Sequence, residues 1–230
     1  MDSSKKGSTL LAVVLLVVGL GVGFGVSKAT EKKNANGSTS TSMSSKPTSA
    51  TKAADLRVAL VSYAVEHMDL TNAAVAGALG GSKDAGAVGA DLYKNGTNLG
   101  AAVGSVYGKD AETTFNTVWK LHLDQFVAYA VAGSKGDEAG KKAALQSIDA
   151  NYTKPLAAYL AKANPNLPQD ALYSGLSEHV TMTAQMIDDQ VKGDYPAAQA
   201  LRAQGVQHLD GLFSTLAEGI VKQFPDKFTN

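Results

Sequence analysis

The sequence predicts an all-α domain, a six-helix bundle of three tandem helical hairpins preceded by an N-terminal transmembrane helix or signal sequence. Three observations predict it. First, polar residues recur at a fixed period: His67, His122 and His179 lie 55 and 57 positions apart, and Asn95, Asn151 and His208 lie 56 and 57 apart. Each member of the second set follows its partner by 28 or 29 positions. Such a period marks repeated supersecondary units. Second, the midpoints of the three pairs fall on turn signals: Gly80-Gly81-Ser82-Lys83-Asp84, Gly136-Asp137 and Gly193-Asp194. Third, apolar residues between the turns recur every three or four positions, and few segments alternate with period two.

The elements follow in order. Helix one, residues 55–80, carries its stripe on Leu56, Leu60, Tyr63, Leu70, Ala74 and Ala78, with His67 inside it. Helix two, 85–107, uses Val88, Leu92, Leu99, Val103 and Val106, with Asn95 in line. Gly108-Lys109-Asp110 ends it and caps the next. Helix three, 111–134, uses Phe115, Val118, Phe126 and Tyr129, with His122 in line. Helix four, 138–163, uses Leu145, Ile148, Tyr152, Leu156 and Tyr159. Pro155 interrupts this helix, where it removes the amide bond to the Asn151 carbonyl and predicts a kink. Asn164-Pro165-Asn166-Leu167-Pro168 breaks the chain. Helix five, 169–192, uses Leu172, Leu176, Met182 and Met186 around His179. Helix six, 195–224, uses Leu201, Leu212, Leu216 and Ile220, with His208 in line, and stops at Pro225. The repeats span about 55–109, 110–167 and 168–228. The first and third agree best: Glu66-His67-Met68-Asp69-Leu70-Thr71 parallels Glu178-His179-Val180-Thr181-Met182-Thr183, whereas Leu121 precedes the middle histidine.

The remainder of the chain differs in character. Residues 1–7 are a basic start containing Lys5-Lys6, followed by an uncharged apolar run over 8–27. A run of about 20 residues is long enough to cross a membrane as a helix. It reads as a signal anchor, or as a signal peptide cleaved near Ala29. Lys28, Lys32 and Lys33 follow the run, so the flanking charge alone leaves the orientation open. The usual N-in orientation of such starts puts the 55–230 domain outside the cytoplasm, single-pass at the cell membrane or secreted. Residues 28–54 are Ser/Thr-rich with almost no large apolar groups, and read as a flexible linker.

Charge narrows the partners. The net charge is zero, but residues 1–54 hold seven lysines against two acids (+5), leaving fourteen basic and nineteen acidic residues (−5) for the domain. A mildly acidic domain argues against nucleic acid. Absence of cysteine removes disulfides, thiolate metal sites and cysteine nucleophiles.

In an up-down series of hairpins all three turns lie at one end, so residues equidistant from the turns share a height. The two polar sets then form one layer about 20 Å from the turns, at ~1.5 Å per residue. Imidazole ligates zinc, copper, nickel and iron, and histidines converging in a bundle core can build such a site. The His179–His208 pair is the expected nucleus of a copper, zinc or iron site, completed by Glu178, Met182, His67 or His122 if the hairpins close up. Glu178 and Glu66 adjoin two of these histidines. Neighbours on a helix point about 100° apart, so these glutamates would orient imidazoles on adjacent helices rather than share their ion. Met68, Met182 and Met186 are soft enough for copper(I), but methionine at helical spacing more often fills core. Trp119 beside the stripe is expected to be buried. The competing reading makes the layer a packing and register device in an envelope interaction module with an unidentified protein partner. No enzyme is expected, because Gly-x-Ser-x-Gly, P-loop, dinucleotide and His-Glu-x-x-His patterns are all missing. Glu-x-x-His is missing too, which excludes the usual di-iron bundle pattern.

Several segments taken together carry a family resemblance. Glu66-His67, Gly104-Ser105-Val106-Tyr107-Gly108, His122-Leu123-Asp124-Gln125-Phe126-Val127, Ala163-Asn164-Pro165-Asn166-Leu167-Pro168, Glu178-His179 and Gln223-Phe224-Pro225 resemble an exported helical domain of Gram-positive-type bacteria. That domain is loosely labelled by association with copper amine oxidase N-terminal-like modules. The resemblance covers 55–228 and implies a connection to copper, with no firm activity. The oxidase cofactor motif requires an acid after Asn-Tyr, whereas Thr153 follows Asn151-Tyr152 here, and the His-x-His copper ligands are missing. Oxidase catalysis is therefore not carried over.

Overall fold

A computed structural model describes residues 51–229, and every regular element among them is helical. The run read as a membrane span or signal, 8–27, and most of the linker lie outside the described residues. Within them no helix is long and apolar enough to cross a membrane. The helices are α1 (Lys52–Gly80), α2 (Ala85–Tyr107), α3 (Lys109–Ser134), α4 (Glu138–Ile148), α5 (Lys154–Ala163), α6 (Gln169–Lys192) and α7 (Tyr195–Gln223). A π-helical turn, Asp149–Thr153, joins α4 to α5 without a break, so these two form one arm and the bundle has six. Helix α1 begins at Lys52, three residues inside the segment read as linker, because the Thr51 hydroxyl accepts the Ala54 amide and caps it.

The three hairpin tips sit where the turn signals placed them. Gly81, Gly136 and Gly193 each adopt positive φ (67°, 69° and 80°), a conformation glycine enters without a Cβ penalty. At all three tips the chain reverses through the same bond to the last turn: Ser82 N–H to the Gly77 carbonyl, Asp137 N–H to the Ala132 carbonyl and Asp194 N–H to the Asp189 carbonyl. Asp137 and Asp194 then cap α4 and α7 with their carboxylates.

The hairpins close into a ring. Each arm packs on its chain neighbours, and α7 returns to pack along α1 about as extensively as α2 does. The outgoing helices α1, α3 and α6 also meet across the middle, α6 touching both others. The return arms α2, α4–α5 and α7 stand outside this triangle. At the end opposite the tips three segments named above converge. Tyr107 donates to Gln223, Asn164 donates to the Tyr107 hydroxyl, and Gln223 donates to the Ala163 carbonyl. The Tyr107 and Phe224 rings meet edge-on at 5.6 Å. These segments therefore close the bundle.

Small residues set the helix spacing. A Cβ on Gly96 would lie 2.5 Å from the Trp119 ring, and one on Gly205 would lie 2.8 Å from the Met68 methyl. Both glycines let a large side chain lie directly on the facing backbone.

Pro155 acts differently from a simple kink. The π turn inserts one extra residue just before it, and the Lys154 amide bonds the Asp149 carbonyl five residues back. The insertion takes up the proline mismatch and rotates the arm. Asn151, expected in the polar layer, is exposed and bonds Ser147, while Tyr152 is buried at 1% exposure.

Candidate metal centre

His67, His122 and His179 come from α1, α3 and α6, the helices that meet in the middle. One ring atom from each lies within 4.8 Å of the others. The ring of His67 stands 5.6 Å from that of His122 and 5.7 Å from that of His179, centre to centre. None is more than 1% exposed.

Aromatic rings hold the cluster in place. Tyr152, on the apolar stripe of the fourth arm, stacks on His122 at 4.2 Å and 22°. Trp119 meets His122 edge-on at 4.7 Å and His67 at 4.9 Å. Phe115 stacks on the indole at 5.1 Å. Tyr152 lies on the apolar stripe read for this arm, with Ile148 and Leu156 buried on either side of it, but its contact with a histidine is set by the tertiary packing.

The polar chemistry of the cluster is unmet. Both ring nitrogens of His122, both of His179 and Nδ1 of His67 are buried without a hydrogen-bond partner. Buried polar groups are bonded in the large majority of cases, and each orphan costs about 1–3 kcal/mol. Five orphan nitrogens at one point thus leave donor capacity for something else. Burial lowers the His67 pKa to about 4 and the His179 pKa to about 3, and proximity to His67 and His208 adds to the effect at His179. His122 is held well below its ordinary value, chiefly by burial and then by His67 and His179. The Trp119 carbonyl one turn back opposes this weakly without making a well-formed hydrogen bond. All three are neutral near pH 7, the state in which imidazole ligates metal.

The second polar set does other work. The Asn95 amide donates to the Tyr63 carbonyl and to Glu66 Oε2. The His208 Nε2 donates to the Gly175 carbonyl at 2.8 Å, and its Nδ1 lies 3.7 Å from Glu178 Oε2. Tyr63 and Gly175 each stand four residues before a clustered histidine. In repeats one and three the return helix therefore reaches the same two groups, a carbonyl one turn upstream and the glutamate beside the histidine. The middle repeat has Leu121 instead of the glutamate, and its Asn151 faces out. Asn95 and His208 thus bond these carbonyls and glutamates and not the clustered histidines.

Of the six residues named as metal candidates, three are brought together and three are not. His208, expected in the nucleus with His179, is half-buried and engaged with Gly175 and Glu178. Glu66 and Glu178 are exposed and occupied with the return helices. The nucleus is instead the three outgoing histidines, and it forms only because the hairpins close into a ring.

Nitrogens around zinc at ~2.0–2.1 Å sit about 3.3–3.6 Å apart, so the imidazoles would have to close by about an ångström. The donor set is otherwise suitable: three neutral nitrogens and no carboxylate.

Comparison with protein-family models, curated proteins and solved structures finds no match to this chain.

Proposed function

We propose that the domain binds one transition-metal ion through His67, His122 and His179, for sequestration or sensing rather than turnover. The observation that carries the reading is the set of five unpartnered ring nitrogens on three touching, fully buried histidines. A layer built only for packing would pair these nitrogens with carbonyls or amides, as His208 does.

Copper is the metal this site favours, as copper(I). No carboxylate belongs to the cluster, and Trp119, Tyr152 and Phe126 surround it. The cost of burying an ion scales with the square of its charge. A monovalent ion on three neutral imidazoles is therefore better tolerated than a divalent one, which would need an added anion. On sequence grounds we read residues 8–27 as the tether or export signal that puts this domain outside the cytoplasm.

The test is element analysis of the full-length chain purified without a histidine tag, beside His122→Ala and His179→Ala. Near-stoichiometric copper, zinc or iron in the parent, lost in both variants, is expected. A parent that holds no metal and takes up none at pH 7.5 would reduce the layer to a packing device.

A further inference from the structure

An apolar cavity of about 80 Å³ ends on the histidine cluster. His67 and Thr183 stand at its inner end. From there it runs between α1, α2 and α3 to Ala78, Leu79 and Ala85 at the tip of the first hairpin. Ala78 and Leu79 are only partly buried, so the far end lies near the surface.

Apart from the His67 ring at the inner end, the walls have little to offer water. The Thr71 and Thr183 hydroxyls donate to the His67 and His179 carbonyls of their own helices, and the Tyr93 hydroxyl donates to Asp124. A water needs roughly two to four polar partners, and apolar cavities of this kind stay dry and admit small apolar guests. The cavity therefore excludes charged and strongly hydrated molecules from that side of the cluster.

Three histidines leave a metal with an open coordination position, as in sites where a fourth ligand exchanges. The aromatic rings that hold the cluster, Trp119, Tyr152 and Phe126, pack chiefly around His122. His67 is the cluster member that borders free space. We infer that the open position of the bound metal faces this cavity and takes a small uncharged diatomic molecule that arrives through it. The inference rests on the metal reading above and adds the ligand class to it. A dry route selects for molecules that cross apolar space at low cost, and a three-nitrogen copper(I) centre supplies the electron-rich partner that such molecules bind.

Carbon monoxide is the probe. The full-length chain is loaded anaerobically with copper(I), and CO binding is followed by infrared spectroscopy and stopped flow. Ala74→Phe and Ala130→Phe each fill the cavity at a distance from the histidines. The parent is expected to show one copper-carbonyl band that shifts with ¹³CO. Each filled variant is expected to keep its copper and to bind CO at least tenfold more slowly. Xenon titration of the metal-free chain, read from the methyl signals of Val75, Leu92 and Val127, checks the cavity independently of metal. Copper bound by three nitrogens without a CO adduct would overturn the inference while leaving the metal reading intact. Unchanged CO rates in both filled variants, or methyl signals that ignore xenon, would overturn the route. A parent that takes up no copper would sink this inference together with the copper assignment it rests on, and one that takes up no metal at all would sink the metal reading.

Discussion

Replacing His179 with leucine is expected to stabilise the metal-free protein. His179 is 1% exposed, and both of its ring nitrogens lack partners. An orphaned buried polar group costs about 1–3 kcal/mol. At the lower bound, removing two such groups gains about 2 kcal/mol, and a hydrophobe of similar size keeps the packing. For a domain of this size that raises Tm by roughly 4–8 °C. The assay is urea denaturation and calorimetry of the chelator-treated parent and variant at pH 7.5. The metal-loaded parent should gain stability as free metal rises above its Kd, and the variant should not. Most buried substitutions destabilise, so a gain is a sharp outcome. A loss of 1 kcal/mol or more in the metal-free form would show that the imidazole already has good partners, and the argument from orphaned nitrogens would fail.

Further outcomes follow from the same geometry. The metal-free protein should lose stability as pH falls below about 6.5. The sign is set by burial: the unfolded chain takes up protons there, while folded His67 and His179 resist until about pH 4 and about pH 3. At pH 5 each contributes a loss of about 2 kcal/mol, so urea midpoints at pH 7.5 and 5 should differ clearly, and equal midpoints would contradict neutral burial. His208→Ala should keep its metal while His179→Ala loses it, because His208 serves Gly175 rather than the cluster; element analysis of the pair decides. Gly96→Ala should cost about 1–3 kcal/mol by driving the Trp119 indole off α2, visible as a shifted tryptophan emission and an earlier urea midpoint. An unchanged emission spectrum would show that the ring has room that the structure denies.

Helix positions were legible because their signals are local. The turn glycines, the capping aspartates and the three-four apolar spacing act within a few residues, and α2 and α6 begin and end where that spacing placed them. The 55–57 residue period also showed that His67, His122 and His179 occupy equivalent positions. The partners of those histidines were not legible. Equal height in a bundle says nothing about which helices stand inside, and that depends on closure of α7 against α1. Closure put the three outgoing histidines together and left His208 on an outer helix.

Asn151 and Tyr152 show a second limit. Counting residues assumes a constant helical period, and the π turn before Pro155 breaks it by one. Asn151, placed in the polar layer by counting from the turn, is exposed, and Tyr152, on the apolar stripe, is the residue that reaches the cluster. By itself the chain determined its helices, its turns and its repeat, since backbone sterics and hydrophobic periodicity operate over short distances. Only the tertiary structure decided which polar residues meet, because that depends on how six arms share one core and on the rotation of each about its own axis.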